Sequence, residues 1–204
     1  MLHGRRHLGR ANKSEKINQS FILTKAKKPD MNSNERMSYI LGLFEGDGYQ
    51  WTGTFGVTNR NREILKKASE ILSDFGTVKW KSDDKGFFRV CITSRPAKRK
   101  FLETLEKTKE NLLKNDLSAF YFAGKYDADG TRWKTRNRLK ITYNIKNDFK
   151  FDIEILKQLG IQSKIRNYKN RNAVDLEISS SDATKFIEMI SPFSVKFDVC
   201  SRTT

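Results

Sequence analysis

Apolar residues between positions 62 and 75 recur at the spacing of one face of an α-helix. The positions on this face are Ile64, Leu65, Ala68, Ile71, Leu72 and Phe75. A helix with such a stripe buries it against a core. Gly76 follows the last apolar position and predicts the point at which the helix ends.

On either side of this helix, apolar and polar residues alternate with the period of two that β-strands show. The alternation predicts two strands before the helix, over residues 49–52 and 54–58, and a hairpin after it, over residues 78–82 and 87–93. Ser33 or Asn34 is placed to cap an earlier helix that runs to Gly48, and Pro96 is placed to begin a last one. The predicted order is αββαββα.

This pattern occurs twice, and its first part repeats at an offset of 82 residues. Gly42, Asp47, Gly48 and Trp51 correspond to Gly124, Asp129, Gly130 and Trp133. The chain is therefore predicted to be an α+β protein of two pseudo-symmetric αββαββα repeats. The repeats are placed at residues 35–115 and 116–204, the second with a C-terminal tail, and residues 1–34 are predicted to form a basic arm and linker.

The net charge of the chain indicates which class of molecule it binds. Its 204 residues include 40 Lys and Arg against 24 Asp and Glu, a net charge of +16. Such a surface binds polyanions, so nucleic acid is favoured over a basic protein that is merely soluble. Residues 1–30 hold eight basic and two acidic side chains. They predict an arm that lies along phosphates, with an organellar transit peptide as the alternative.

Two classes of protein are excluded by the composition. No run approaches the roughly 18 apolar residues of a membrane span, so no membrane partner is expected. The two cysteines, Cys91 and Cys200, are too far apart for paired zinc ligands and too few for a disulfide scaffold. A reduced intracellular setting is predicted, either a prokaryotic cytoplasm or an organelle.

The repeated helix has small residues four positions apart, Gly42 with Gly46 and Gly124 with Ala128. This spacing lets two helix backbones approach closely. Gly48 and Gly130 are predicted to adopt the left-handed conformation after each helix end. Asp47 and Asp129 would then meet at two helix C-termini, where negative charge is unfavourable unless a cation binds. Asp-Gly is also a common turn signal, but its recurrence at one place in both repeats favours a metal site.

Ile40–Gly48 and Phe122–Gly130 resemble the two motifs of the single-chain LAGLIDADG homing endonucleases. The resemblance covers residues 35–191. It implies that the motif helices pack between half-domains and that Asp47 and Asp129 bind Mg²⁺, with Gly46 and Ala128 completing the metal site and Mn²⁺ or Ca²⁺ able to substitute for binding. It also implies a monomer that cuts both strands of a long, nearly palindromic DNA duplex and leaves short 3′ overhangs.

The resemblance further assigns Asn59, Arg60 and Arg95 to the cleavage pocket of the first repeat. The second repeat departs from this pattern, which predicts unequal cutting of the two half-sites. Tyr143, Asn144 and Ser181 stand at or near the corresponding places. Lys125 occupies a motif position that is usually apolar, and is expected either at the surface or in the active site.

In this family two saddle-shaped sheets lie over the major groove, so strands should alternate between apolar and DNA-facing residues. The predicted DNA contacts are Lys79, Lys81, Arg89, Arg132, Lys134, Arg136, Arg138, Lys140, Lys164, Arg166 and Tyr168. Asp175 and Glu177 are expected to accept hydrogen bonds from cytosine. Trp51 and Trp133 are expected to pack in the core or at an interface, not to stack on bases.

Two other functions share these features. An intron maturase of this fold would bind RNA and assist splicing. A DNA-binding protein of the same fold could have lost cleavage, although the retention of both Asp47 and Asp129 argues against that reading.

Overall fold

In a computed structural model of the protein, the structure describes residues 29–113, 116–133, 137–144, 149–167 and 172–200, without the side chains of 198–200. Five predicted features lie wholly or partly outside these ranges: the arm over residues 1–28, Lys134, Arg136, Tyr168 and the side chain of Cys200. None of the helices in the described ranges combines the length and apolarity needed to cross a membrane.

The first repeat contains three helices and four strands. They are α1 (Ser33–Asp47), β1 (Gly48–Trp51), β2 (Thr54–Asn59), α2 (Arg62–Leu72), β3 (Lys79–Ser82), β4 (Phe88–Thr93) and α3 (Arg95–Asn111). Asn32, not Ser33 or Asn34, caps α1: its side chain accepts hydrogen bonds from the N–H groups of Asn34 and Glu35. A short 3₁₀ turn, Ser73–Phe75, follows α2 and ends at Gly76.

The second repeat has the same order. Its elements are α4 (Ser118–Asp129), β5 (Gly130–Trp133), β6 (Arg138–Asn144), α5 (Lys150–Gln158), β7 (Ser163–Asn167), β8 (Ala173–Ile178) and α6 (Ala183–Ile190). A further helix that was not predicted, α7 (Val195–Cys200), follows it. The α+β class and the repeated αββαββα order are confirmed.

Each repeat forms one antiparallel four-stranded sheet, with the orders β1-β2-β4-β3 and β5-β6-β8-β7. In both sheets the glycine that ends the motif helix pairs with the middle of the second strand, Gly48 with Val57 and Gly130 with Ile141. The helices cover one face of each sheet. On that face the buried side chains include Phe55 and Val57 in the first repeat and Leu139 and Ile141 in the second.

Helices α1 and α4 pack against each other between the two sheets. A Cβ atom added to Gly42 would overlap the backbone carbonyl of Tyr121, and one added to Gly124 would overlap that of Tyr39. The small residues therefore allow a backbone-to-backbone crossing that any side chain would prevent. The predicted central two-helix interface is confirmed.

The left-handed conformation predicted for Gly48 and Gly130 is wrong. Both residues are extended, with φ, ψ of −74°, 148° and −75°, 143°. The reason is that each motif helix passes directly into a strand without an intervening turn. Glycine is required there for space, since a Cβ atom would overlap the side chain and carbonyl of Phe44 at Gly48 and of Tyr126 at Gly130.

Candidate metal centre and nucleic-acid interface

Asp47 and Asp129 are the last residues of the two crossing helices, and the crossing brings them together. The backbone of Gly46 lies directly against the carboxylate of Asp129, so a Cβ atom at Gly46 would overlap it. Burial raises the pKa of Asp47 to about 6; the negative charge of Asp129 adds to the rise, and Asn59 and Lys196 oppose it. Burial also raises the pKa of Asp129, against the charges of Lys125 and Lys196.

This donor set fits a hard divalent cation. In the described part of the chain, no three His, Cys, Asp or Glu side chains form a cage around one point. Mg²⁺ does not need such a cage, because it takes one or two carboxylates and completes its shell with water and phosphate oxygens. Burial, together with the charge of Asp129, raises the pKa of Asp47, and a bound cation would relieve this cost of ionisation.

The three predicted pocket residues of the first repeat differ in their placement. Asn59, at the end of β2, donates from its amide Nδ2 to Oδ2 of Asp47. Arg60 instead lies over the ring of Phe87, at 4.4 Å from the ring centroid. Arg95 is exposed at the start of α3. The structure therefore brings one of the three into contact with Asp47, and the catalytic roles of all three stay predictions.

The second repeat places a different side chain at the position of Asn59. Since Val57 and Ile141 are equivalent in register, Tyr143 corresponds to Asn59, as expected from the sequence. Its hydroxyl donates to Oδ2 of Asp152, a buried carboxylate on α5. Tyr143 is thus hydrogen-bonded to a buried acid of its own repeat, and the unequal cutting of the two half-sites stays a prediction.

Two crossed hydrogen bonds connect the motif helices in a pseudo-symmetric way. The hydroxyl of Tyr39 on α1 donates to Oδ2 of Asp127 on α4, at 2.7 Å. The hydroxyl of Tyr121 on α4 donates to Oε2 of Glu45 on α1, at 2.6 Å. Sequence reasoning missed these pairs, although both members recur at the offset of 82 residues that revealed the repeat.

Lys125 belongs to a buried charged cluster beside the second crossed pair. Its ammonium lies 2.7 Å from Oε2 of Glu45 and 3.8 Å from Oδ2 of Asp152, and its side chain is only 4% exposed. Lys109 approaches the other oxygen of Glu45 at 3.1 Å. The surface alternative for Lys125 is therefore wrong. Its charge reaches Asp129 through space and opposes the rise in the pKa of that carboxyl.

The basic residues of the first sheet share the face that points away from the helices. Lys79 pairs with Cys91, and Lys81 pairs with Arg89, opposite the face of the buried Val90. The side chain of Trp51 lies on the same outer face, because it pairs with Thr54. Trp51 is 64% exposed, so the core alternative for it is wrong.

The outer face of the second sheet carries Arg138, Lys140, Lys164 and Arg166, but with acids between them. Lys140 lies 2.7 Å from Oδ2 of Asp175, whose other oxygen accepts from Thr142. Arg166 lies 2.9 Å from Oε1 of Glu177. The expectation that these acids are available to cytosine is not met, since both are buried and ion-paired.

Arg132 does not share this outer face. The register pairs it with Leu139, which points towards the helices, and pairs Trp133 with Arg138 on the outer face. The hairpin register thus places Arg132 out of phase with Arg138, and its contact with DNA stays a prediction.

A comparison with protein families identifies the repeats. The family model described as a LAGLIDADG-like domain matches residues 34–106 and, a second time, residues 116–191. The chain belongs to the LAGLIDADG family.

Solved structures with the two-repeat LAGLIDADG fold are similar to the chain. The homing endonuclease I-DmoI in complex with DNA and Ca aligns with a TM-score of 0.68 and 20% identity, over 84% of this chain and 100% of that chain. I-DmoI with DNA and Mn gives 0.63 and 21%, over 78% and 97%. The N-terminal LAGLIDADG domain of DUF199/WhiA gives 0.64 and 16%, over 79% and 85%. A search of curated proteins finds no significant match.

One residue beside the carboxylates of Asp47 and Asp129 is not predicted from the sequence. Lys196, on α7, lies beyond the end of the second family match at residue 191. Its ammonium donates to the backbone carbonyls of Ala128 and Gly130, which flank Asp129. The family match ends before this lysine, so the repeat seen in the sequence does not include it.

Proposed function

We propose that the chain is a divalent-metal-dependent endonuclease that hydrolyses both strands of a long, nearly palindromic DNA duplex and leaves short 3′ overhangs. The observation that carries the proposal is the meeting of Asp47 and Asp129 at one point, each with a raised pKa, between two sheets with basic outer faces. The similarity to I-DmoI, whose structures include complexes with DNA, Mn and Ca, supports it.

The chain's own residues have distinct parts in the proposed reaction. When bound, a divalent ion such as Mg²⁺ supplies positive charge to the pentavalent transition state and lowers the pKa of water. Asp47 and Asp129 would hold the metal, and each carboxylate would serve one strand. The amide of Asn59 donates to Oδ2 of Asp47 and holds that carboxylate in place. Lys79 and Lys81 bind the duplex and set its register.

Selection of a cleavage site from a random duplex library in Mg²⁺ tests the proposal. The wild-type protein should cut both strands of the selected site, and EDTA should stop the reaction. Asp47→Asn and Asp129→Asn should each lose cleavage of one strand while binding the duplex normally. Glu103→Gln, which removes an exposed carboxylate on α3, is the matched control and should cut like the wild type.

Two outcomes would contradict this assignment in different ways. A wild-type protein that binds duplex DNA but cuts no site in the library would be a binding protein of the LAGLIDADG fold. Variants of Asp47 and Asp129 that both still cut the two strands would leave the endonuclease in place and remove these residues as its metal ligands. Preferential binding of a structured intron RNA would instead favour the maturase alternative.

A further inference from the structure

Hydrogen bonds from its ammonium group and from its backbone N–H hold Lys196 beside the second motif. Its Nζ donates to the carbonyl of Ala128 at 3.0 Å and to that of Gly130 at 3.0 Å. Asp129 is the residue between these two carbonyls. The charge of Lys196 opposes the rise in the pKa of Asp129 and also that of Asp47. The ammonium therefore lies within electrostatic reach of both carboxylates of the candidate metal centre.

The backbone of Lys196 is anchored to the same helix that carries Asp129. Asp127 accepts hydrogen bonds from the backbone N–H of Val195 at 2.8 Å and of Lys196 at 3.0 Å, and from the hydroxyl of Ser194. One residue further on, the ring of Phe197 stacks on Tyr126, with centroids 5.0 Å apart. The start of α7 is thus fixed on α4, and the direction of the Lys196 side chain with it.

The two half-sites therefore hold different polar groups. In the first, the amide of Asn59 bonds to Asp47. In the second, Tyr143 occupies the equivalent place but is bonded to Asp152, and Lys196, which lies beyond the family match, is at the helix end instead. An ammonium group has three N–H donors. Two of them bond to carbonyls, which leaves the third for an oxygen that enters the site.

We propose that Lys196 is the basic residue of the second half-site and binds the scissile phosphate of the strand that Asp129 serves. The proposal rests on the endonuclease function proposed above. A lysine that only caps a helix end would use the same carbonyl contacts, since cations are favourable at helix C-termini. The experiment must therefore separate phosphate binding from capping.

Lys185 provides the matched control for capping. Its Nζ donates to the carbonyl of Leu159 at 2.6 Å, at the end of α5, so it makes the same kind of contact without a neighbouring pair of acids. Lys196→Met and Lys185→Met each remove one charge and two carbonyl contacts at the end of a helix. We expect both to lower the resistance of the protein to urea.

The first readout is duplex binding in Ca²⁺ at several salt concentrations, without cleavage. In Lys196→Met, the loss of one phosphate contact should make the negative slope of log K against log [salt] shallower by about 0.9. Lys185→Met should keep the wild-type slope. Lys196→Arg, which retains the charge, should keep it as well, and gives a folded comparison if Lys196→Met does not fold.

The second readout is the rate at which each strand is cut in Mg²⁺. Lys196→Met should slow cleavage of the strand that Asp129→Asn affects by about a hundredfold, the usual effect of one lost donor to a transition state. The other strand should be cut nearly as in the wild type. If Lys196→Met matches Lys185→Met in slope and in both strand rates, Lys196 is only a helix cap. If the wild type cuts nothing, the endonuclease proposal fails, and the salt slope still decides whether Lys196 binds phosphate.

Discussion

Replacement of Asp47 by Asn should stabilise the metal-free protein at neutral pH. Burial raises the pKa of this carboxyl to about 6, and the nearby charge of Asp129 contributes to the rise. The folded state therefore binds the proton more tightly than the unfolded state does. Well below pH 3.8 the carboxyl is protonated in both states. Between pH 3.8 and about 6 only the unfolded chain loses the proton, so the stability of the folded state falls as the pH rises to about 6 and stays low above it.

The size of this effect follows from the difference between the two pKa values. The ordinary value for this carboxyl is 3.8, so the rise is roughly two units. At about 1.4 kcal/mol per unit, ionisation of Asp47 costs about 3 kcal/mol at pH 7.5. This figure is an upper bound, because water reaches the half-buried carboxyl and screens its charge. An amide of the same shape avoids the cost and can still accept the hydrogen bond from Asn59.

Urea unfolding in EDTA at pH 4.5, 6 and 7.5 measures this difference. The gain in stability of Asp47→Asn over the wild type should be about a third as large at pH 4.5 as at pH 7.5, where the variant should unfold at clearly higher urea. Glu45→Gln, two residues earlier on α1, is the matched control and should change in the opposite direction. Burial alone would raise the pKa of Glu45, but the ammonium of Lys125 and the hydrogen bonds from Lys125 and Tyr121 outweigh it and lower the pKa.

The reasoning is refuted if the wild type and Asp47→Asn keep a constant difference in stability from pH 4.5 to 7.5. It is also refuted if Asp47→Asn and Glu45→Gln change stability in the same direction at pH 7.5. Addition of Ca²⁺ gives an independent check. A ligand at 100 times its Kd stabilises by about 2.7 kcal/mol, and this gain should be present in the wild type and absent in Asp47→Asn.

Two further substitutions test the interface between the repeats. Lys125→Met should lower the free energy of unfolding by about 3–5 kcal/mol, because Glu45 and Asp152 lose their shared cation. Lys66→Met, on the exposed face of α2, is the control and should leave the free energy of unfolding unchanged. Equal urea midpoints for the two variants would contradict this prediction. Gly42→Ala should cost at least 1–3 kcal/mol, about the cost of overpacking, because its Cβ would overlap the Tyr121 carbonyl. Gly86→Asn, where no atom lies within 4 Å of a Cβ, is its control in the same denaturation assay.

The repeated architecture could be predicted because it depends on local signals. The apolar stripe of α2 and the alternation in β2 and β4 are properties of short segments, and the offset between Gly42 and Gly124 shows that one unit occurs twice. Small residues at the helix crossing predict close approach for a steric reason that holds in any sequence. The meeting of Asp47 and Asp129 follows from the crossing of the helices that end with them.

The remainder depends on contacts between distant parts of the chain. The register of β5 on β6 decides which face of the sheet Arg132 occupies. The spacing of basic residues in the sequence does not determine this register. Asp175 and Glu177 have the carboxylates that could accept hydrogen bonds from bases. In the fold, however, Lys140 and Arg166 form ion pairs with them. Lys196 reaches Asp129 only because Asp127 anchors the start of α7.

These contacts give the two halves of a symmetric scaffold different chemistry. The crossed bonds from Tyr39 and Tyr121 keep the motif helices in equivalent positions, so the carboxylates of Asp47 and Asp129 are placed alike. The outer faces differ, because Lys79 and Lys81 of the first sheet are exposed, whereas Lys140 and Arg166 of the second are ion-paired with buried acids. Under the proposed function, the first sheet supplies more of the salt-dependent affinity. The second sheet holds its basic side chains in fixed positions, which favours discrimination between bases over attraction to phosphate.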